Sequence, residues 1–273
     1  MLKKTLQLIK TNPLIVICYT IYLVFSILLI YFLYPKSFGV GTYTQGGVFD
    51  YSLYMVTMRN MLIAVALIFI LSLFFISGYG GMTREAVLSG KTKLFYFLDG
   101  IKNYFGRVLL SALLTGAVVI VGSILLGLLS IPFTIMAVAN GTNSIYIMTM
   151  VIMLVTLILV LIPTPFVALW LPAMFLEDTS IMRSLKFGAK AGAKNYFRLL
   201  IVSIILILPQ VIYSILNYSH ILRGTLFSVE YFILLGIMAL TSMIYNIYLF
   251  IVYHEYKIGL ITILQQPDGN INP

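Results

Sequence analysis

The sequence is short of charge, of cysteine and of histidine. Only 9% of its 273 residues are Asp, Glu, Lys or Arg, against about 25% in an ordinary soluble domain. So little charge excludes a soluble globular protein, and the 61% apolar content excludes a disordered chain. The single cysteine, Cys18, excludes an intrachain disulfide and a thiolate metal site. Two histidines, His220 and His254, are too few for a histidine zinc site. No glycine loop runs into Lys-Ser or Lys-Thr, so the chain is not expected to be an ATPase. No acid–base pair stands out as catalytic, and no cofactor or metal is expected. A non-enzymatic protein is the reading.

What is present is long apolar runs, with a mean hydropathy of +1.07. A helix needs about 20 apolar residues to cross a hydrocarbon core. Six runs meet that requirement: 14–34, 61–82, 108–136, 145–176, 199–218 and 231–253. The expected fold is therefore an all-α membrane protein, one integral-membrane domain over 1–273 with six transmembrane helices. The fourth run is too long for one straight crossing. Pro163, Pro165 and Pro172 lie in its second half, and each removes a backbone donor, so a kinked or broken span is expected there. No charged residue lies inside the six runs, which argues against an ion-coupled pump.

The net charge is +9. In a soluble protein this would suggest nucleic acid, but here the cations divide by side. Fourteen of the 17 Lys and Arg fall at the N-terminus, in the second and fourth connections, or in the C-terminal tail. Only Lys36, Arg59 and Arg223 fall on the other side. Cytoplasmic loops carry the excess of Lys and Arg, so both termini are expected in the cytoplasm, with the chain multi-pass in the cell membrane. The basic start resembles a signal peptide, but its apolar run of about 21 residues exceeds a signal core and reads as a retained span. Asn140-Gly141-Thr142 and Asn217-Tyr218-Ser219 match glycosylation sequons on the outer side.

The two central cytoplasmic connections resemble each other at an offset of 92 residues. Met82, Glu85, Phe95, Gly100, Lys102, Asn103, Tyr104 and Phe105 recur as Met174, Glu177, Phe187, Gly192, Lys194, Asn195, Tyr196 and Phe197. Arg107 and Arg198 follow. A weaker copy opens the chain with Lys10 and Asn12, and Glu255 ends the sixth run as Glu85 and Glu177 end the second and fourth. The expected unit is an amphipathic cytoplasmic segment, a span out and a span back, repeated as three parallel hairpins.

In the later connection Arg183, Lys186, Lys190, Lys194 and Arg198 fall within an arc of roughly 120° on a helix. Met182, Leu185, Ala189, Tyr196 and Leu199 are expected opposite, in the acyl boundary. Lys91, Lys93, Lys102 and Arg107 mark the earlier connection, where Leu94, Phe97, Leu98, Ile101, Tyr104 and Phe105 have helical spacing. Two cytoplasmic amphipathic segments are thus expected. Their cations either set topology alone or bind anionic lipid headgroups or a membrane partner. Gly188 and Gly192 would admit a close backbone, and Gly78, Gly80 and Gly81 read as close helix packing. Glu177-Asp178-Thr179-Ser180 reads as a cap for the following helix. Pro163, Pro165, Gln210 and Asn246 are candidate cavity residues.

The stretch from Phe175 to Lys186, followed by Lys194-Asn195-Tyr196-Phe197-Arg198, resembles certain six-span proteins. These are the membrane domain of glycerophosphoryl diester phosphodiesterases and related uncharacterised prokaryotic integral-membrane proteins. The resemblance implies a common helical plan and a bacterial or archaeal source. In the fused enzymes catalysis belongs to a separate soluble metal-dependent domain. That domain is not expected in the 20 or so residues after the sixth run, so no catalytic residue carries over. Two functions stay open: a lipid- or partner-binding membrane protein without nucleic-acid contacts, and a transporter or the membrane subunit of an exporter with an ATPase partner.

Overall fold

A computed structural model describes residues 1–33, 44–45, 48–49, 51–139, 155, 158–159, 161–205, 208 and 229–265. The described chain is helical: α1 (Leu2–Thr11), α2 (Pro13–Leu33), α3 (Tyr51–Ser89), α4 (Phe95–Ala139), α5 (Thr164–Ala168), α6 (Trp170–Glu177), α7 (Ile181–Lys194), α8 (Tyr196–Ile205) and α9 (Val229–Gln265). Among the described residues the one strand pairing is a two-residue antiparallel ladder, Thr44–Gln45 with Val48–Phe49. Gln210, Lys36, Arg223, His220 and both sequons lie outside the described residues, as do much of the fourth run's first half and the second half of the fifth.

Three helical stretches are long and apolar enough to cross a membrane: Tyr54–Ser89, Phe95–Leu128 and Gly236–Ile261. A fourth arises if α1 and α2, bent by 87° at Asn12, are taken together. The helices outrun the apolar runs that predict them. At 1.5 Å per residue, the 39 residues of α3 extend roughly 58 Å, beyond the 40–45 Å of a whole bilayer.

Asn12 and Pro13 mark the bend between α1 and α2. Asn12 ends α1 and its side-chain amide donates to the Leu8 carbonyl at 3.0 Å. Pro13 then cannot continue the ladder. Asn195 ends α7 in the same way, its amide donating to the Ala191 carbonyl at 3.0 Å. Asn103 instead donates to the Asp99 carboxylate, one turn back, at 2.9 Å. Here α4 runs unbroken from the amphipathic segment into the apolar run. The amphipathic segment expected before residue 108 is the first part of this longer helix. Gly100 and Gly106 within it are each only about 1 kcal/mol worse than Ala and do not break it.

The expected break in the fourth run is present. Pro172 offers no N–H to Ala168, so α5 ends there and α6 restarts after Leu169. Ala173 N–H reaches back to the Leu169 carbonyl at 3.0 Å.

Glycines set the helix crossings. A Cβ on Gly81 would meet the Gly100 Cα at 2.6 Å, and one on Gly100 would meet the Ser77 carbonyl oxygen at 2.6 Å, so α3 and α4 touch backbone to backbone. Gly188 and Gly192 seat α7 on Leu169, Trp170, Pro165 and Phe166. Gly80 leaves room for the ring of Phe175. That ring, 1% exposed, also meets Tyr104 of α4 at 4.5 Å and Phe250 of α9 at 5.8 Å between centroids. Burial concentrates at this end of the helices, where the Phe175 cluster adjoins a second one around Ile15, Tyr79, Met82 and Ile247.

Phe175→Ala is expected to cost about 3–5 kcal/mol, as for other large-to-small core changes. Gly80→Ala is expected to destabilise by about 1–3 kcal/mol through overpacking against that ring. Gly106, with nothing within 4 Å of an added Cβ, should tolerate Ala with a gain of about 0.5–1 kcal/mol. Thermal unfolding in detergent checks all three; equal effects at Gly80 and Gly106 would contradict the packing described.

Candidate functional site

Two features qualify as sites: a rim of cations at the well-packed end and a cavity beneath it. The rim is organised by four ion pairs. Lys4 meets Glu255 at 2.8 Å, Lys257 meets Glu177 at 2.9 Å, Arg107 meets Asp178 at 2.6 Å, and Arg84 meets its neighbour Glu85. Glu177 also accepts from the Tyr253 hydroxyl at 3.3 Å. The acidic residues predicted to cap α7 therefore hold cations of other elements. Asp178 adopts a left-handed conformation, φ 49°, which Asp tolerates better than most residues. This turns the chain between α6 and α7. Ser180 occupies the cap position of α7 but makes no side-chain capping bond.

The predicted cations separate into two groups. Arg107 is paired and lies over the Tyr104 ring at 5.5 Å. Lys194 sits over Tyr256 at 5.7 Å and Arg198 over Tyr248 at 5.9 Å. Arg183, Lys186 and Lys190 are exposed along α7 and have no acidic partner among the described residues. Lys91, Lys93 and Lys102 are likewise exposed, beside the exposed apolar residues Leu94, Phe95 and Leu98.

Small residues form the buried face of α7. Ser184, Gly188, Ala191 and Gly192 are buried against α5 and α6, whereas Met182 is 71% exposed and borders the basic stripe. Small residues permit the closest backbone approach, so they, and not the larger apolar side chains, face the protein. Trp170 fastens this contact: its Nε1 donates to the Ile181 carbonyl and the Ser184 hydroxyl, both at 3.1 Å. The tryptophan anchor is the residue that sequence reasoning passed over; its signal was being the one tryptophan in the chain.

The cavity measures about 600 Å³. It lies between α4 (Val108, Ser111, Ala112, Thr115) and the α5–α6 arm, with Tyr79 of α3 and Asn246 and Phe250 of α9 also lining it. Of the predicted cavity residues Asn246 lines it; Pro163 and Pro165 do not, and Pro165 is buried beneath Gly192. Three of its polar groups are engaged on their own helices: Ser111 donates to the Val108 carbonyl, Thr115 to the Ser111 carbonyl and Asn246 to the Ser242 carbonyl. Among the described residues no cluster of three His, Cys, Asp or Glu is placed to hold a metal ion.

The pairings rank the two neighbouring acids. Glu177→Gln should cost about 1.5–3 kcal/mol, because a half-buried carboxylate with two donors is lost. Asp178→Asn, in a pair more than one-third exposed on both sides, should cost at most about 1 kcal/mol. Thermal unfolding of the two variants measures the order, and the reverse order would contradict it. No curated protein and no solved structure matches the chain. A family model does match, over residues 1–253, and the chain belongs to that family, described as Domain of unknown function (DUF7847).

Proposed function

We propose that this is a non-enzymatic, multi-pass protein of the cell membrane that binds anionic lipid headgroups through its basic rim. The observation that carries the reading is the stripe of Arg183, Lys186 and Lys190, exposed and without acidic partners among the described residues, beside the exposed Met182 and Phe197. Cations next to outward apolar side chains suit the boundary between headgroups and acyl chains. The right-angle bend places α1 across the direction of α2, as in a helix lying along a membrane surface, with Leu2 and Leu6 exposed beside Lys3 and Lys10. A basic membrane partner site would use the same stripe.

Six crossings, both termini in the cytoplasm and three parallel hairpins complete the proposal. In its support, every ion pair among the described residues joins groups that the sequence assigns to one side. The related positions of Asn12, Asn103 and Asn195 support the three-unit reading, as does the placement of Glu85, Glu177 and Glu255 after buried Met82, Met174 and Val252. The likeness to the membrane domain of glycerophosphoryl diester phosphodiesterases belongs to the same proposal, as a common helical plan. A transporter, or the membrane subunit of an exporter working with an ATPase, is the second reading; the cavity lined by Asn246 and the α5–α6 arm favours it.

Each cation near an anionic surface contributes about 1 kcal/mol. The triple variant Arg183→Gln, Lys186→Gln, Lys190→Gln is therefore expected to retain anionic lipid about a hundredfold less tightly. Lipid exchange on protein reconstituted in mixed zwitterionic and anionic bilayers measures it. Unchanged preference for anionic lipid would remove the proposal. Separately, reporter fusions after Lys91, Lys190 and Pro273 should all report cytoplasm, and a single external result would overturn the orientation.

A further inference from the structure

We infer that the cavity between α4 and the α5–α6 arm is an acyl-chain site, entered sideways from the bilayer by one chain of a membrane lipid. The inference rests on the membrane reading but not on the basic rim. Three observations carry it. First, the cavity is closed at the basic end and open along the helices. Tyr104 packs at a tilt on the Phe175 ring and donates to the Phe175 carbonyl at 3.4 Å, and Arg107 reaches Asp178, so α4 and α6 are fastened there. Farther along, the lining residues Thr115 and Val167 are exposed. Beyond them α4 presents Val118 and Val119, 73% and 58% exposed. The mouth therefore opens onto the apolar surface of a membrane-crossing helix, where the surrounding medium is hydrocarbon.

Second, the lining suits a chain and not a polar solute. It carries no charged residue. Ser111, Thr115 and Asn246 donate to their own helices' carbonyls, and the rings of Phe75, Tyr79, Trp170, Phe175 and Phe250 make up much of the wall. An apolar cavity gains nothing from water and binds apolar molecules. Third, about 600 Å³ falls within the range of sites that enclose a small organic ligand, enough for a single extended chain and too little for a whole two-chain lipid.

Trp170 gives a direct test, because it lines the cavity, is the one tryptophan in the chain and is only 7% exposed. The full chain would be reconstituted in zwitterionic phosphatidylcholine whose acyl chains carry bromine, a contact quencher of tryptophan fluorescence. The expected result is loss of most Trp170 emission relative to unbrominated bilayers, and recovery of that emission when Ala112→Phe fills the cavity. Ala168→Phe, from the opposite wall, serves as a second filling variant should the first not fold, with helix content by circular dichroism as the check. A wild-type protein that is not quenched overturns the site. So does quenching that persists unchanged in a folded filling variant. Because no anionic lipid is present, loss of headgroup preference in the Arg183, Lys186 and Lys190 variant has no bearing on the outcome.

Discussion

The structure depends on Phe175 lying over Gly80. Phe175 is carried on α6, the short helix that restarts after Leu169. Tyr104 of α4 and Phe250 of α9 meet the same ring. Within lipid, where tails are as apolar as Leu, helices gain little from hiding apolar surface and associate through close packing. Glycine facing a ring, and glycine facing glycine at Gly81 and Gly100, provide that packing at one end of the molecule. Away from it the helices separate, and the cavity is the space they leave.

The same end organises the charge. Glu85, Glu177, Asp178 and Glu255 each hold a cation, and Asp99 is engaged by Asn103. Arg183, Lys186 and Lys190 are left facing outward without such a partner among the described residues. Packing produces this arrangement. Trp170 and the small residues Ser184, Gly188 and Gly192 turn one face of α7 onto the protein, and the stripe on the opposite face is thereby exposed. Fold and candidate site meet at α6, which carries Phe175 onto α3 and Trp170 onto α7.

Much of this was legible in the residues. The start of α2 agrees with the first apolar run to within one residue, because Pro13 punctuates it. The break in the fourth run follows from Pro172, and the glycine contacts follow from spacing. Three features were not legible, each for a physical reason. The unbroken α4 is packed along α3, where Gly81 meets Gly100, a contact between residues of different helices. The pairing of Glu177 and Asp178 depends on Lys257 and Arg107, which lie far away in sequence. The bond that fastens α7, from Trp170 to the Ile181 carbonyl and the Ser184 hydroxyl, depends on how the α6 and α7 helices meet.

By itself the sequence determined the medium: apolar runs too long for a soluble core, with the charges kept outside them, because transferring charge into hydrocarbon is costly whatever the fold. Only the tertiary structure decided which cations are paired, which helix face is buried and where a cavity opens. Those outcomes belong to contacts between residues such as Lys4 and Glu255, or Gly80 and Phe175, that lie far apart along the chain. Local spacing carries no information about such meetings; the arrangement of the helices creates them.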